Sequence, residues 1–191
     1  VITAIDVGTT KVCTLIGEVS QEGDTNVIGV GIEPSKGLRK GTVVDLQETR
    51  RAVTASIKKA EQQADKRIKS AFVSVTGSHI ESSNNWISVA TSADKSVITS
   101  DQLNRMANSV NPPNLKSDRM LIHSIPLSYA LDGKAGIRNP VGMHVREMDM
   151  HTQLVTGSSS FVKMLAESVT SAGINVEGMV LQPLASGEAV L

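Results

Sequence analysis

The chain has 191 residues, 40% hydrophobic and 20% charged, with 19 Lys+Arg against 19 Asp+Glu and a formal net charge of zero. With a mean hydropathy of −0.03, this balance excludes a disordered tail, a collagen-like fibre and a disulfide scaffold, and suits one large domain or two small ones. Four aromatic residues (Phe72, Trp86, Tyr129 and Phe161) leave an aliphatic core and argue against a base-stacking nucleic-acid surface.

Val1 to Val7 is an apolar, β-branched run ending at Gly8-Thr9-Thr10-Lys11. Val12 to Val19 reads as a second strand, Glu22-Gly23-Asp24 as a turn, and Asn26 to Ile32 as a third strand. Such short connections predict an antiparallel meander. Asp45 and Glu48 stand three apart, the spacing of a reciprocal cap, and open a helix whose apolar stripe is Leu46, Val53, Ile57, Ala60 and Ala64. Ala71 to Thr76 follows as a strand.

Beyond Gly77 the texture changes. Ser82-Ser83-Asn84-Asn85 interrupts an extended stretch from His79 to Val89, and Ser92 to Ser100 is polar. Thr99 and Gln102 form a second capping box for a short helix through Leu103, Met106, Ala107 and Val110, ended by Pro112-Pro113. A long alternating strand then places Leu121, His123, Ile125, Leu127, Tyr129 and Leu131 on one face. Pro126 removes a ladder donor, which predicts an edge position or a bulge. Asp132-Gly133 and Asn139-Pro140 mark turns before a strand carrying Met148, Met150 and Leu154 on one face.

The final part returns to the first pattern. Ser158 to Ser160 offers caps for a helix bearing Phe161, Met164, Leu165, Val169 and Ala172, stopped by Gly173. Ile174 to Leu181 is a strand, and Pro183 begins another helix. The order predicts an α/β domain from residues 1–76 and 157–191, with an α+β unit (strand, helix, strand, strand) inserted at 77–156.

The strongest chemical signal is Asp6-Val7-Gly8-Thr9-Thr10-Lys11. A phosphate site needs backbone N–H groups that approach the anion, and Gly8 carries no Cβ to obstruct them. Thr9 and Thr10 add hydroxyl donors and Lys11 a positive charge, while Asp6 suits a Mg²⁺ held through water. An ordinary tight turn is the competing reading. Gly29-Val30-Gly31 lacks a third glycine at dinucleotide-binding spacing and is structural. The four histidines have no partners at metal spacing, and His123 reads as a half-buried strand residue. Cys13, the only cysteine, excludes an internal disulfide and reads as packing. No catalytic residue is expected.

Charge is unevenly spread, since residues 36–69 hold ten basic residues against four acidic ones. Two readings fit: the solvated face of the first helix, or a surface for an acidic partner, phosphate or lipid headgroup. No apolar run approaches the roughly 18–20 residues needed to cross a bilayer. No signal peptide is expected, as no basic region precedes an apolar one.

Ile5 to Lys11 resembles the first phosphate loop of the actin/Hsp70/sugar-kinase superfamily. Val27-Ile28-Gly29-Val30-Gly31, the segment from Gly37 through Lys40-Gly41 to Asp45, His123-Ser124-Ile125-Pro126, Asn139-Pro140-Val141-Gly142-Met143 and Pro183-Leu184-Ala185-Ser186 narrow the resemblance. Together they are similar to the N-terminal half of the FtsA family of bacterial division proteins.

That resemblance implies an actin-like (ribonuclease H-like) βββαβα domain with an inserted subdomain for polymer and partner contacts. It implies ATP with Mg as cofactor, Asp6, Gly8, Thr9, Thr10 and Lys11 as its first phosphate loop, and Asp6 as the Mg side. Implied partners are FtsZ, downstream division proteins, further copies in a filament and the cytoplasmic membrane face at the division site, with no nucleic acid. The family's second phosphate loop, adenine-binding glycines and C-terminal membrane helix do not occur in these residues, so half of an ATP site is expected. A pilus-assembly protein of PilM type, or another ATPase or kinase of the superfamily, is the alternative.

Overall fold

The computed structural model describes residues 1–89, 97–108, 110, 112 and 115–190. The polar expectation at residues 92–96 and the stop at Pro113 lie outside them. The chain divides into two compact units, Val1–Ile80 with Ser158–Leu191, and Glu81–Gly157.

In the first unit, β1 (Ile2–Val7), β2 (Lys11–Val19) and β3 (Thr25–Pro34) form the expected antiparallel meander. A short hairpin, β4 (Leu38–Arg39) and β5 (Thr42–Val43), precedes α1 (Leu46–Ala64). Next comes β6 (Ser70–Val75), parallel to β1. After the other unit, α3 (Ser159–Thr170) leads to β11 (Asn175–Leu181), parallel to β6, and to α4 (Gln182–Val190). The sheet order is β11-β6-β1-β2-β3.

One sheet face is buried: Thr3, Ile5 and Val7 from β1, Val12, Thr14 and Ile16 from β2, and Ala71, Val73 and Val75 from β6. Helix α1 covers β2 and β3 with Val53, Ile57 and Ala60, and α3 brings Val162, Leu165 and Val169 beside it. The approach of α1 to β3 needs glycine. A methyl group on Gly31 would stand 1.8 Å from the Ser56 carbonyl oxygen, and one on Gly29 would stand 2.4 Å from that of Ala60. The Gly-Val-Gly run is therefore a helix seat. Within it the Ser56 hydroxyl donates to the Val53 carbonyl, so the buried Thr14 hydroxyl donates to Ser56 at 2.8 Å.

The Asp45 side chain caps α1 by accepting the Glu48 N–H at 3.0 Å, a contact of about 1 kcal/mol in such helices. The expected return bond is not made. The Asp45 N–H goes to the Gly37 carbonyl, and the Glu48 carboxylate turns to Arg51 at 2.6 Å. Leu46 and Ala64, at the ends of the predicted stripe, are only half-buried. Likewise Ser158 precedes α3 without a side-chain cap bond, its hydroxyl pairing with Ser160 at 3.1 Å.

The second unit has β7 (Glu81–Val89), α2 (Ser100–Asn108), β8 (Arg119–Leu131), β9 (Lys134–Ile137) and β10 (Met148–Ser158), with sheet order β7-β10-β8-β9. The full capping box forms here: the Thr99 N–H donates to Gln102 Oε1 at 2.9 Å, and the Gln102 N–H to Thr99 Oγ1 at 3.3 Å. Ile98, Tyr129, Leu131, Val145, Met148 and Met150 form the core, with Leu103, Met106 and Val110 packed against it.

Two expectations are corrected. Ser82 to Asn85 does not interrupt a strand. It lies inside β7, a sheet edge where most residues are exposed and the apolar alternation that marks a strand is missing. The even alternation of β8 also fails, because Leu127 is 45% exposed. The Ser124 hydroxyl reaches that of Thr152, on the buried face of β10, at 3.0 Å, whereas Tyr129 and Leu131 enter the core from positions of opposite parity. The register of β8 against β9 shifts between Tyr129 and Leu131.

Candidate phosphate site

Strands β1, β6 and β11 are mutually parallel, so their carboxyl ends (Val7, Val75 and Leu181) open on the same edge of the sheet. In open α/β sheets, ligands sit outside such ends. Three loops meet there: the Gly8–Thr10 turn, the Lys40–Gly41 tip of the β4–β5 hairpin, and Thr76–Gly77 after β6.

Each contact has a local cause. Lys40 (φ 49°) and Gly41 (φ 78°) are both left-handed, as a two-residue type I′ hairpin turn requires. The Gly41 N–H donates to Thr9 Oγ1 at 3.2 Å. A side chain on Gly41 would stand 2.8 Å from the Thr76 carbonyl oxygen and from Gly77 Cα, so glycine alone lets the hairpin tip reach the turn after β6. The hairpin is anchored by buried Leu38 and Val43, and by the Gly37 carbonyl, which accepts the N–H groups of Val44 and Asp45 at 2.8 and 3.1 Å. The start of α1 thus holds the loop cluster in register.

The predicted residues take different places. Asp6 points to the sheet face opposite α1 and α3, where one carboxylate oxygen accepts the Ser74 hydroxyl. The Gly8 N–H is engaged within the turn, donating to the Lys11 carbonyl at 2.9 Å. A Cβ on Gly8 would stand 2.9 Å from that same oxygen, so glycine also lets the turn close. The amides left over are those of Thr9 and Thr10, exposed residues with no backbone acceptor for them among the described residues. Thr9 Oγ1 accepts from Gly41, which leaves its proton to donate outward. Thr10 contributes its carbonyl to the Ser35 N–H at 2.9 Å. Lys11 is exposed and has no carboxylate partner among the described residues.

Cys13 lies opposite Asp6 in the β1–β2 register. Burial pushes its thiol above the ordinary value, Lys11 opposes that shift and Asp6 adds to it. The thiol is therefore protonated at neutral pH and fits the packing role. Burial holds the His123 imidazole below its usual value, so it is neutral at pH 7. Among the described residues no group of His, Cys, Asp and Glu is arranged to hold a metal ion. Asp6 alone remains, compatible with a Mg²⁺ that takes one carboxylate together with phosphate and water.

The basic segment divides in two. On α1 and just beyond it, Arg51 pairs with Glu48 and Lys59 with Glu33 at 2.6 Å, Arg67 with Glu61 at 2.7 Å, and Lys66 with Glu18. That is a solvated, ion-paired helix face, of little energetic weight. Lys40 lies apart from it, at the hairpin tip. The sequence marks Lys40-Gly41 as a family feature and Lys40 as part of the basic segment, but not the Gly41 contact with Thr9, since the two lie 32 positions apart with no local sign of it.

Comparison with known proteins follows this division. Residues 77–156 match the model of the SHS2 domain inserted in FtsA. All of the chain aligns with the cell division protein FtsA of Pseudomonas aeruginosa at 34% identity and of Escherichia coli K12 at 32%, covering 45% of each. FtsA of Borreliella burgdorferi is 32% identical and covered to 46%. The chain thus spans a little under half the length of these curated relatives. Among solved structures, the PilM–PilN type IV pilus biogenesis complex matches 96% of this chain and 48% of its own at a TM-score of 0.58 and 12% identity, a likeness of fold. The fold is actin-like α/β with an SHS2 insertion, and from end to end the chain is similar in sequence to a little under half of the cell division protein FtsA.

Proposed function

We propose that this chain supplies one wall of the ATP site of an FtsA-type division scaffold. The observation that carries the reading is the meeting of three loops at the carboxyl ends of parallel strands. There the Thr9 and Thr10 amides, the outward Thr9 proton and the Lys11 charge form a donor set of phosphate chemistry. Asp6 stands one strand position before the turn, where a Mg²⁺ bound through water would neutralise part of the phosphate charge. Gly8 shapes the turn that presents these groups.

The family implies the wider role. In this reading the scaffold polymerises, tethers the FtsZ ring to the inner face of the cell membrane through a C-terminal helix, and recruits later division proteins. The unit at residues 77–156 supplies polymer and partner contacts, and nucleic acid has no part. The sequence relatives favour division over pilus assembly, since the PilM likeness is one of fold.

A ligand held by one wall remains largely solvated. Calorimetry is therefore expected to find no submicromolar Mg-ATP binding by these 191 residues, and clear binding by the protein extended to the length of its relatives. Submicromolar binding by the 191 residues, or none by the longer protein, overturns the half-site account.

A further inference from the structure

We infer that Lys40 is a second phosphate-binding cation of this site, presented by the β4–β5 hairpin, and that the same hairpin sets the Thr9 hydroxyl to donate. The inference rests on the phosphate reading of the 8–11 loop and adds a residue from outside it.

Three observations converge. First, the Gly41 N–H bond to Thr9 Oγ1 holds the hairpin tip against the loop at 3.2 Å. A hydroxyl that accepts one hydrogen bond is polarised to give its own proton, so the hairpin orients Thr9 as a donor. Second, Lys40 adopts φ 49° at the first central position of a type I′ turn, where Asn, Asp or Gly is strongly preferred. A lysine there gives up turn stability, and strained positions of this kind collect at functional sites. Third, Lys40 is exposed and has no carboxylate partner among the described residues; Lys36, Arg39, Arg50, Lys58 and Lys69 share that state, but Lys40 is the one next to Gly41, whose N–H bonds Thr9. Lys11 and Lys40 stand on two hairpins whose turns are joined by the Gly41–Thr9 bond. A flexible ammonium on a four-carbon stem suits a polyphosphate whose oxygens vary in position.

Turn chemistry provides a clean variant. Lys40→Asn removes the charge and installs Asn-Gly, the favoured type I′ pair, so it preserves or strengthens the fold while testing binding. The probe is inorganic tripolyphosphate, titrated into the 191-residue chain at low salt and followed by ¹H–¹⁵N NMR. In the parent chain the Thr9, Thr10 and Gly41 amides are expected to shift together. Lys40→Asn is expected to weaken Kd about threefold or more, the scale of one exposed charge contact, with an unchanged or higher Tm. Lys40→Arg keeps parent affinity, and so does Lys58→Asn on α1. If Lys40→Asn binds like the parent while Thr9 and Thr10 still shift, the inference fails and the loop reading stands. If those amides do not move at saturating tripolyphosphate, or if shifts spread equally along α1, both fail.

Discussion

Gly31→Val is expected to destabilise the first unit by at least about 3 kcal/mol, because overpacking against backbone has no side chain to yield. The new Cβ would stand 1.8 Å from the Ser56 carbonyl oxygen and 2.8 Å from the Ala60 nitrogen, both in the middle of α1. Either α1 lifts from β3 or β3 shifts against β2, and both moves open the cluster around Thr14, Val53 and Ile57. For a chain of this length the loss corresponds to a fall of roughly 6–12 °C in Tm. Gly187→Ala in α4 is the control. No atom lies within 4 Å of a Cβ there, and alanine is the better helix former, so Tm should hold or rise slightly. A Gly31→Val chain that melts with the parent would show that α1 does not sit on β3 as described.

The second large effect belongs to the other unit. Met150 is 1% exposed and sits among Ile98, Tyr129, Leu131, Val145 and Met148. Met150→Ala should cost about 2–5 kcal/mol, the range for truncating a buried methionine. Each unit has its own buried cluster, so the loss should be local. In native-state hydrogen exchange, amides of β8 and β10 are expected to lose protection while those of β1, β2 and β6 keep theirs. Equal loss across all five strands would contradict separate cores.

How much of this was legible depended on whether the signal is local. The β1–β2–β3 meander and α1 announce themselves through alternation, turn residues and a helical stripe, because one face of each is buried and the other wet. The Thr99/Gln102 box is legible for the same reason, as both partners lie within one turn of helix. β7 hid its strand because it is an edge with no buried stripe to impose alternation on Ser82 to Asn85. The β4–β5 hairpin was missed because two-residue strands have no periodicity.

The candidate site was half visible. Asp6 to Lys11 is contiguous and reads as a loop, but its chemistry depends on residues far along the chain. Gly41 and Gly77 meet beside Thr9 only through the parallel β1–β6 pairing, which no local pattern encodes. Which of the loop's amides stay open is likewise set by its closed form, where the Gly8 N–H is committed to the Lys11 carbonyl and those of Thr9 and Thr10 have no backbone acceptor among the described residues.

The central claim is that this loop binds the phosphates of a nucleotide, and Thr9 tests it with least damage to the fold, being exposed at a turn. The measurement is the Mg-ATP affinity of the protein extended to the length of its relatives, with parent, Thr9→Ser and Thr9→Val compared at equal Tm. The account predicts that Thr9→Ser stays within about threefold of the parent, and that Thr9→Val, which keeps the shape and loses the hydroxyl, binds about tenfold or more weakly, as expected for a charge-assisted hydrogen bond. Thr9→Val binding Mg-ATP as tightly as the parent would contradict it.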